Sequence, residues 1–247
     1  MVKVAIVTPT YNEIGNIENL LTNLQQVSDE HNDDNFSVFV IDDSSPDGTA
    51  DMVTILQNRL KTANFSVHLI VRKEKNGLGK AYIHGFKQVL NHKSNFDFIL
   101  QMDADLSHNP VYVTSFLHNA KAGADFIVAS RYISGGSTPD WPWYRKLLSR
   151  GGNIYTRIFL NRKITDYTGG YNMYSSDLMR NINVDNITSG GYGFLIELKY
   201  KAILLAKKPA EVPIVFLDRE HGNSKIPKST ILKNLVLVLK LRSSVKK

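Results

Sequence analysis

The stretch "SVFVIDDSSPDGTADMVTILQNRL", residues 37–60, decides the fold class. Its first residues are mainly β-branched, aromatic and apolar, which favours a buried strand. The segment "SSPDGT" is a strong turn signal, in which we expect Asp47 to be structural and Thr49 to cap the next helix. Apolar residues at helical spacing then follow, namely Met52, Val53, Leu56 and Leu60. The stretch therefore predicts a strand, a turn and a helix in succession.

The same alternation runs through the first half of the chain. Further strands are predicted in "KVAIVTP", "SVHLIVR", "FDFILQM" and "ADFIVAS", with helices from Ile14 to Gln26 and from Leu78 to Leu90. Strands that alternate with helices indicate βαβ units and a mainly parallel sheet, so the fold class is α/β. In the less regular second half, we predict helices at 146–160 and 194–207, a strand in "AEVPIVFLD" and a flexible loop at 135–143 over the site.

Composition and charge exclude several classes of protein. The chain has 247 residues, 43% of them hydrophobic, and no cysteine, which excludes disulfides and thiolate metal sites. Its net charge of +7 suits nucleic acid, anionic membranes or phosphorylated small molecules, although ordinary solubility also explains it. No recognition-helix or RNA-binding signature is present, so nucleic acid is not an expected partner. No apolar run is long enough to predict a membrane span or a signal peptide.

Polar clusters follow the predicted strands where each strand ends. They are "TPTYNE", "DDSSPDGT", "DADLSHNP" and "SRY". In open α/β sheets, ligands bind beyond the carboxyl ends of the strands, so the four clusters predict one binding rim.

Asp103 and Asp105 are the most informative pair at this rim. In extended geometry, residues two apart leave the same face of a strand, with their Cα atoms roughly 6–7 Å apart. That spacing suits Mg²⁺ or Mn²⁺, which usually takes one or two carboxylates plus substrate phosphates. Asp105 lies further into the loop and is the better metal ligand. An isolated pair of this kind is more often a solvated strand end with helix-capping aspartates, but the preceding apolar run and the other rim clusters favour the metal site.

Three other clusters have features of a nucleotide site. Asp43 is placed to accept hydrogen bonds from a base or a ribose. Tyr11 could stack on a base and Glu13 could accept a hydroxyl, although capping of the first helix by Asn12 or Glu13 is a competing explanation. The glycines of "NGLGKA" allow close approach of a ligand, and Lys80 adds positive charge, but this segment alone says little.

Taken in order, the motifs resemble the inverting nucleotide-sugar glycosyltransferases of family two, and within it the dolichol-phosphate mannose synthases. The resemblance covers nearly the whole chain through "PTYNE", "DDSSPDGT", "GLGKAYIHG", "MDADLSHNP", "SRY", "RKLLSRG", "DYTGGYNMY", "GYGFLIEL" and "EVPIVFLDREHGNSK". It implies a GT-A fold, which is a Rossmann-like nucleotide-diphospho-sugar transferase fold with a mixed, mainly parallel sheet. It also implies a divalent ion, Mg²⁺ or Mn²⁺, a nucleotide-sugar donor and a lipid phosphate acceptor.

The resemblance also assigns roles to individual residues. The donor-binding residues would be Pro9, Tyr11, Glu13, Asp43, Lys80, Asp103, Ala104, Asp105 and Arg131. The catalytic residues would be Asp103, Asp105, Arg131 and Arg145, with Asp105 on the metal and Ser107 meeting it directly or through water. The acceptor phosphate would meet Arg145, Arg219 and Lys225. Asn172 departs from the family pattern, because relatives carry arginine there and one expected positive charge is missing.

The implied reaction is inverting transfer of mannose from GDP-mannose to a polyprenyl or dolichyl monophosphate, which releases a nucleoside diphosphate. A phosphate monoester is already a nucleophile at neutral pH, so cations that position it matter more than a general base. Glu197 is accordingly expected to be structural or to lie on the acceptor side. A UDP-glucose-dependent glucosyltransferase acting on the same lipid remains an alternative, and transfer to a hydroxyl acceptor is a weaker one.

The C-terminal segment combines an apolar centre with lysine and arginine. We expect a catalytic domain at residues 1–226 and a basic amphipathic helix at 227–247. Such a helix can lie on anionic lipid, or it can pack on the core with a solvated tail. Because the sequence ends where relatives add membrane spans or recruit membrane partners, we expect peripheral attachment at the cytoplasmic face of a membrane.

Overall fold

The computed structural model describes residues 1–217 and 228–244. The strands in these residues are β1 (Lys3–Thr10), β2 (Asn35–Asp42), β3 (Phe65–Val71), β4 (Phe98–Gln101), β5 (Phe126–Ser130), β6 (Asn172–Ser175) and β7 (Pro209–Pro213). The helices are α1 (Ile17–Glu30), α2 (Thr49–Arg59), α3 (Leu78–Leu90), α4 (Val113–Lys121), α5 (Trp143–Phe159), α6 (Ser176–Ile182), α7 (Tyr192–Leu205) and α8 (Lys228–Ser244).

The described strands form one seven-stranded sheet in the order β3-β2-β1-β4-β6-β5-β7. Strands β1 to β4 pair in parallel, as do β5 and β7, whereas β6 is antiparallel to both of its neighbours. The sheet is therefore mixed and mainly parallel, which confirms the predicted α/β architecture. Parallel strands must be joined by crossovers, which explains why helices separate the first five strands in sequence.

Both faces of the sheet are buried, as continuous apolar runs in parallel strands require. In β1, Val4 and Ile6 contribute to one hydrophobic cluster, while Ala5 and Val7 contribute to the other. The first cluster also holds the inner residues of α1, α2 and α4, and the second those of α3, α6 and α7. The sheet therefore lies between two layers of helices, and the carboxyl ends of its neighbouring strands β2, β1 and β4 lie side by side.

Several predicted boundaries shift in the structure. Helix α1 begins at Ile17, three residues after the predicted start, because Glu13 and the residues that follow it form a turn. Thr49 is the first residue of α2 and not its cap; Gly48 occupies the cap position with a φ of 90°. The strand predicted in "AEVPIVFLD" is confined to β7, whose last residue is Pro213.

Strand β6 was missed by the sequence analysis. Its four residues "NMYS" carry no β-branched side chain and begin with a buried asparagine, so they lack the usual strand signal. The loop at 135–142 is anchored at the buried Trp141 and at the bridge from Ser137 to Val215, while Gly135, Pro139 and Asp140 are exposed. In the part of the chain that the structure describes, no helix is both long and apolar enough to cross a membrane.

Candidate active site

Two of the predicted clusters meet because β1 and β2 are neighbours. The register pairs Thr10 with Asp42 at the last positions of the two strands. The Thr10 hydroxyl donates a hydrogen bond of 2.9 Å to the Asp42 carboxylate, which also accepts bonds from the N–H and hydroxyl of Ser45. Asp42 is fully buried and serves the loop itself, which leaves Asp43 as the carboxylate that faces the rim.

Asp43 lies against Arg72, which follows β3 directly. One guanidinium nitrogen is 3.0 Å from an Asp43 carboxylate oxygen. Burial raises the pKa of Asp43, and the Arg72 charge offsets only part of that effect. Sequence reasoning did not single out Arg72, although its position after a strand matches that of the other rim residues.

The "PTYNE" loop after β1 is held by contacts to the "SSPDGT" turn. The Asn12 N–H donates to the Ser45 hydroxyl at 3.0 Å, and the Glu13 N–H donates to the Thr49 hydroxyl at 3.0 Å. The Glu13 carboxylate accepts a bond of 2.7 Å from the Asn16 side chain. Pro9 lies in β1 opposite Ile41. These bonds fix the position of the loop that carries Tyr11.

Two lysines lie near this part of the rim. The Lys75 ammonium group is 3.7 Å from the centre of the Tyr11 ring, which is a cation–π distance. Lys80 is exposed in the first turn of α3. The preceding glycines have structural reasons for being small: Gly77 has a φ of 96°, and a Cβ on Gly79 would lie 2.8 Å from Phe194. Close helix packing therefore accounts for Gly79 without a ligand.

The Asp103–Asp105 pair does not lie on an extended strand. Strand β4 ends at Gln101, and residues 104–108 form successive bends in which Leu106 has a φ of 63°. The expected same-face strand geometry is therefore wrong, although both carboxylates do lie at the rim. Ala104, between them, is buried.

Asp103 is positioned by two buried rings. The Tyr82 hydroxyl donates to one of its carboxylate oxygens at 2.5 Å, and the Asp103 N–H donates to Nδ1 of His108 at 2.9 Å. Burial lowers the pKa of His108, which favours the neutral imidazole. Because Nδ1 accepts the Asp103 N–H, the proton of the neutral ring belongs on Nε2, which lies 3.9 Å from the other carboxylate oxygen. His108 stacks on Tyr171 at 4.9 Å. Tyr82 and His108 both lie in motifs quoted above, but the sequence analysis assigned neither of them a role.

Asp105 is paired with Ser107 inside the bend. The Ser107 hydroxyl donates to an Asp105 carboxylate oxygen at 2.6 Å, and its N–H donates to the same oxygen at 3.1 Å. Both side chains are buried. Residues 1–217 and 228–244 contain no cluster of three or more histidines or acids able to hold a metal. The oxygen donors of Asp105 and Ser107 fit Mg²⁺ or Mn²⁺ provided that substrate phosphates and water complete the shell.

Arg131 of "SRY" forms a buried ion pair. Its guanidinium group donates two bonds, of 2.7 and 2.8 Å, to the Asp166 carboxylate and a third to Thr168. Burial alone would raise the pKa of Asp166, but Arg131 and Lys199 outweigh burial and hold that pKa well below its ordinary value. Lys199 is itself fully buried, donates to the Asp166 carbonyl at 2.7 Å and has a pKa lowered by burial to about 8.

A cavity of about 250 Å³ opens beside Arg131, between the 135–142 loop and α5. It is lined by Arg131, Tyr132, Ser137, Thr138, Pro139, Lys146 and Arg150, so three cations and no carboxylate face it. Arg145 lies one residue before Lys146, with its guanidinium carbon 3.9 Å from the Trp141 ring centre. Sequence reasoning named Arg131 and Arg145 but missed Lys146 and Arg150, although "RKLLSRG" contains both.

The remaining predicted residues fall in three different settings. Arg219 and Lys225 lie outside the described residues. Glu197 is buried, and its carboxylate accepts a bond from the Ser189 N–H and lies 3.0 Å from the Lys201 ammonium group. Asn172 is fully buried in β6 and donates to the Gln101 side chain at 3.2 Å. The structure thus places Arg131, Lys146 and Arg150 around one cavity, with Arg145 on the nearby Trp141 ring, and it places Glu197 in a structural contact.

Comparison with known proteins identifies the family. The family model described as Glycosyl transferase family 2 matches residues 5–182. The chain is 39% identical over 224 residues to the undecaprenyl-phosphate mannosyltransferase of Micrococcus luteus, covering 91% of this chain and 87% of that protein. It is 37% identical over 227 residues to the polyprenol monophosphomannose synthase of Mycolicibacterium smegmatis, covering 92% and 82%.

Solved structures show the same fold at much lower identity. Glucosyl-3-phosphoglycerate synthase from Mycobacterium tuberculosis, in complex with Mn²⁺, UDP-glucose and phosphoglyceric acid, superposes with a TM-score of 0.69 at 16% identity, covering 98% of this chain and 80% of that chain. Mannosyl-3-phosphoglycerate synthase from Rubrobacter xylanophilus gives 0.60 at 14% identity, covering 99% and 74%. These neighbours are GT-A glycosyltransferases, which confirms the GT-A fold that the motifs implied.

Proposed function

The chain belongs to glycosyl transferase family 2, and from that premise we propose that it transfers mannose from GDP-mannose to a polyprenyl or dolichyl monophosphate. The observation that carries the proposal is that two relatives at 37–39% identity, aligned over more than nine-tenths of this chain, are both named for mannose transfer to a polyprenyl phosphate. The cation-lined cavity beside Arg131 supports a negatively charged acceptor such as a phosphate.

The donor would bind at the ends of β1, β2 and β4. We assign the nucleoside to Tyr11 and Asp43, with Pro9, Glu13 and Lys80 completing that side. A stacked base would then displace or join the Lys75 ammonium group on the Tyr11 ring. Asp103, locked by Tyr82, would orient the donor, and the buried Ala104 would keep the bend compact.

A divalent ion, Mg²⁺ or Mn²⁺, would be held by Asp105 and by Ser107, directly or through a water. It would supply charge that stabilises the departing nucleoside diphosphate. The bend already directs the Ser107 hydroxyl and N–H to one Asp105 oxygen, and this arrangement fixes the carboxylate before a donor arrives. Preorganised charge of this kind needs no rearrangement during the reaction.

The acceptor phosphate would lie in the cavity lined by Arg131, Lys146 and Arg150, with Arg145 at its edge. A phosphate oxygen forms the new bond to the anomeric carbon while the bond from that carbon to the donor phosphate breaks, and its electron pair leaves on the nucleoside diphosphate. A single in-line displacement inverts the configuration at that carbon. No general base is required, because the phosphate monoester is mostly dianionic at neutral pH. Glu197 is engaged by Ser189 and Lys201 and would stay structural.

The second candidate is a UDP-glucose-dependent polyprenyl-phosphate glucosyltransferase. It rests on a neighbour of the same fold that was crystallised with UDP-glucose and Mn²⁺. Transfer to a hydroxyl acceptor is a weaker third, because three cations line the cavity and no carboxylate does. We also propose that catalysis belongs to residues 1–226, that residues 227–247 contribute to membrane contact, and that this contact is peripheral at the cytoplasmic face.

The deciding experiment is transfer of radiolabelled sugar into a lipid that is extracted with organic solvent. We expect GDP-mannose to support transfer to a polyprenyl phosphate with Mg²⁺ or Mn²⁺, chelation to abolish it, and re-addition of the ion to restore it. Transfer from UDP-glucose but not GDP-mannose would establish the second candidate. Failure with both donors would refute the proposed function.

A further inference from the structure

Helix α5 has its apolar side turned away from the protein. Its buried residues are the polar pair Asn153 and Thr156. Asn153 makes hydrogen bonds to Tyr167 and Thr168, and the Thr156 hydroxyl donates to the Gly152 carbonyl of α5 itself. Seven large apolar side chains are exposed instead: Trp143, Tyr144, Leu147, Leu148, Ile154, Ile158 and Phe159. We call these seven the outer face. Leaving so much apolar area in water is unfavourable, and exposed patches of this kind mark interaction sites.

Helix α8 has exposed apolar side chains of its own. It lies beside α5, where the Tyr155 hydroxyl donates to the Leu235 carbonyl at 3.2 Å. One side of α8 joins the core through Val238 and Leu241. On another side, Leu232, Val236 and Leu239 are exposed at helical spacing. One side of α8 thus packs on the core, and the other leaves apolar side chains exposed.

The charge around the outer face is of one sign. Residues 143–163 contain six lysines and arginines and no acidic residue, and residues 228–244 contain four and none. Lys146, Arg150 and Arg157 follow one border of the outer face at helical spacing. A symmetric dimer through this face would bring identical cationic borders together without compensation. An anionic lipid surface offers both an apolar interior and neutralising charge.

The outer face also lies next to the cation-lined cavity. Lys146 and Arg150, which line that cavity, belong to the border of the outer face. A helix that lies in a membrane interface buries its apolar side roughly 5–10 Å deep and keeps its cations at the headgroups. Docking of α5 would therefore bring the cavity mouth to the level at which a lipid-linked phosphate is presented.

We propose that the outer face, together with the exposed apolar side of α8, docks onto an anionic membrane and thereby presents the cation-lined cavity to the phosphate of a lipid acceptor. The acceptor in this statement rests on the proposed function, whereas the docking itself does not. Truncating α8 would be a poor test, because Val238 and Leu241 would leave the core. Substitutions of exposed residues on α5 leave the core intact and are the better test.

The experiment is flotation with vesicles of phosphatidylcholine and phosphatidylglycerol, compared with phosphatidylcholine alone. The wild type should float mainly with the anionic vesicles. The variant Leu147→Ser/Ile154→Ser/Ile158→Ser has the same net charge as the wild type. It should bind the anionic vesicles at least about tenfold more weakly, because each substitution removes several CH₂ groups that docking would bury in the membrane. Ile55→Ser is the matched control for Leu147→Ser, because the two side chains are 59% and 65% exposed on different helices.

The outcomes separate docking from catalysis. Transfer to a short-chain, water-soluble prenyl phosphate should be unchanged in the triple variant, and transfer to a long-chain acceptor in vesicles should fall. Equal flotation of wild type and triple variant would overturn the docking proposal, as would a wild-type dimer that the substitutions dissociate. If the wild type floats but glycosylates neither acceptor, docking stands and the proposed function fails.

Discussion

The two halves of the candidate site are held in opposite ways. In the carboxylate half, formed by residues 42–49 and 103–108, the acidic groups are fixed mainly by neutral donors such as Tyr82, Ser107 and Thr10. In the cation half, formed by Arg131, Arg145, Lys146 and Arg150, Arg131 donates two hydrogen bonds to the Asp166 carboxylate, and the other three cations lie on α5. The carboxylate half thus lies in hydrogen-bonded loops at the ends of β2 and β4, whereas three of the four cations lie on a helix whose outer side we propose to dock on a membrane.

Replacement of Asp105 tests whether the carboxylate half acts through a metal. Asp105→Ala should abolish transfer, with a loss of roughly three orders of magnitude in kcat, because the charge that a metal supplies is worth several kcal/mol. Radiolabelled transfer measures the effect, and the thermal midpoint of unfolding should change little. Full activity in this variant would refute the metal role and remove the functional distinction between the two halves.

Replacement of Asp166 tests the rigid part of the cation half. Asp166→Asn should lower the free energy of unfolding by about 3–5 kcal/mol, since it leaves the Arg131 guanidinium buried without its partner. Asp177→Asn is the control, because it breaks a surface pair with Arg180 and should cost under about 1 kcal/mol. Denaturant titration measures both variants.

The pH dependence of the Asp166 effect has a defined sign. The pKa of Asp166 is held below its unfolded value of about 3.9, so its contribution is present above that pH and is lost as pH falls through the folded-state pKa. The difference between wild type and Asp166→Asn should therefore be largest near neutral pH and narrow below about pH 4. A difference that is constant with pH would show that the Arg131 pair is not its source.

Replacement of Tyr82 tests whether its hydroxyl positions the Asp103 carboxylate. Tyr82→Phe keeps the buried ring but removes the hydrogen bond to Asp103, a bond to a charged group that is worth about 1.5–3 kcal/mol. We expect kcat to fall about tenfold with the acceptor KM unchanged, since a shift in Asp103 affects the donor. Tyr174→Phe is the matched control, because its hydroxyl binds the neutral Gln101 side chain. Equal kinetic effects in both variants would contradict a positioning role.

The halves also differ in how well the sequence predicts them. Periodicity located β1 to β5, and parallel pairing of β1, β2 and β4 then predicted that Asp43 and Asp105 lie at one end of the sheet. The bend after Gln101 was not predictable, because it depends on a positive φ at Leu106 and on tertiary contacts of Tyr82 and His108. In the cation half, the Arg131–Asp166 pair joins residues 35 apart, and local patterns carry no information on such pairing. The helical pattern of α5 was correct, yet periodicity does not say which side faces inward.

Asp47 provides the smallest and most selective test of the comparison. Its carboxylate accepts bonds from the Ile14 N–H, at 3.1 Å, and from the N–H and hydroxyl of Thr49, so it joins two rim loops without facing the site itself. Asp47→Ala should lower the free energy of unfolding by about 1–2 kcal/mol and leave kcat and KM close to wild type. Asp47→Asn retains an acceptor oxygen for Thr49 and should lose less stability. If Asp47→Ala instead lost transfer while its stability was unchanged, Asp47 would bind substrate, and the carboxylate half could not be divided into structural and catalytic acids.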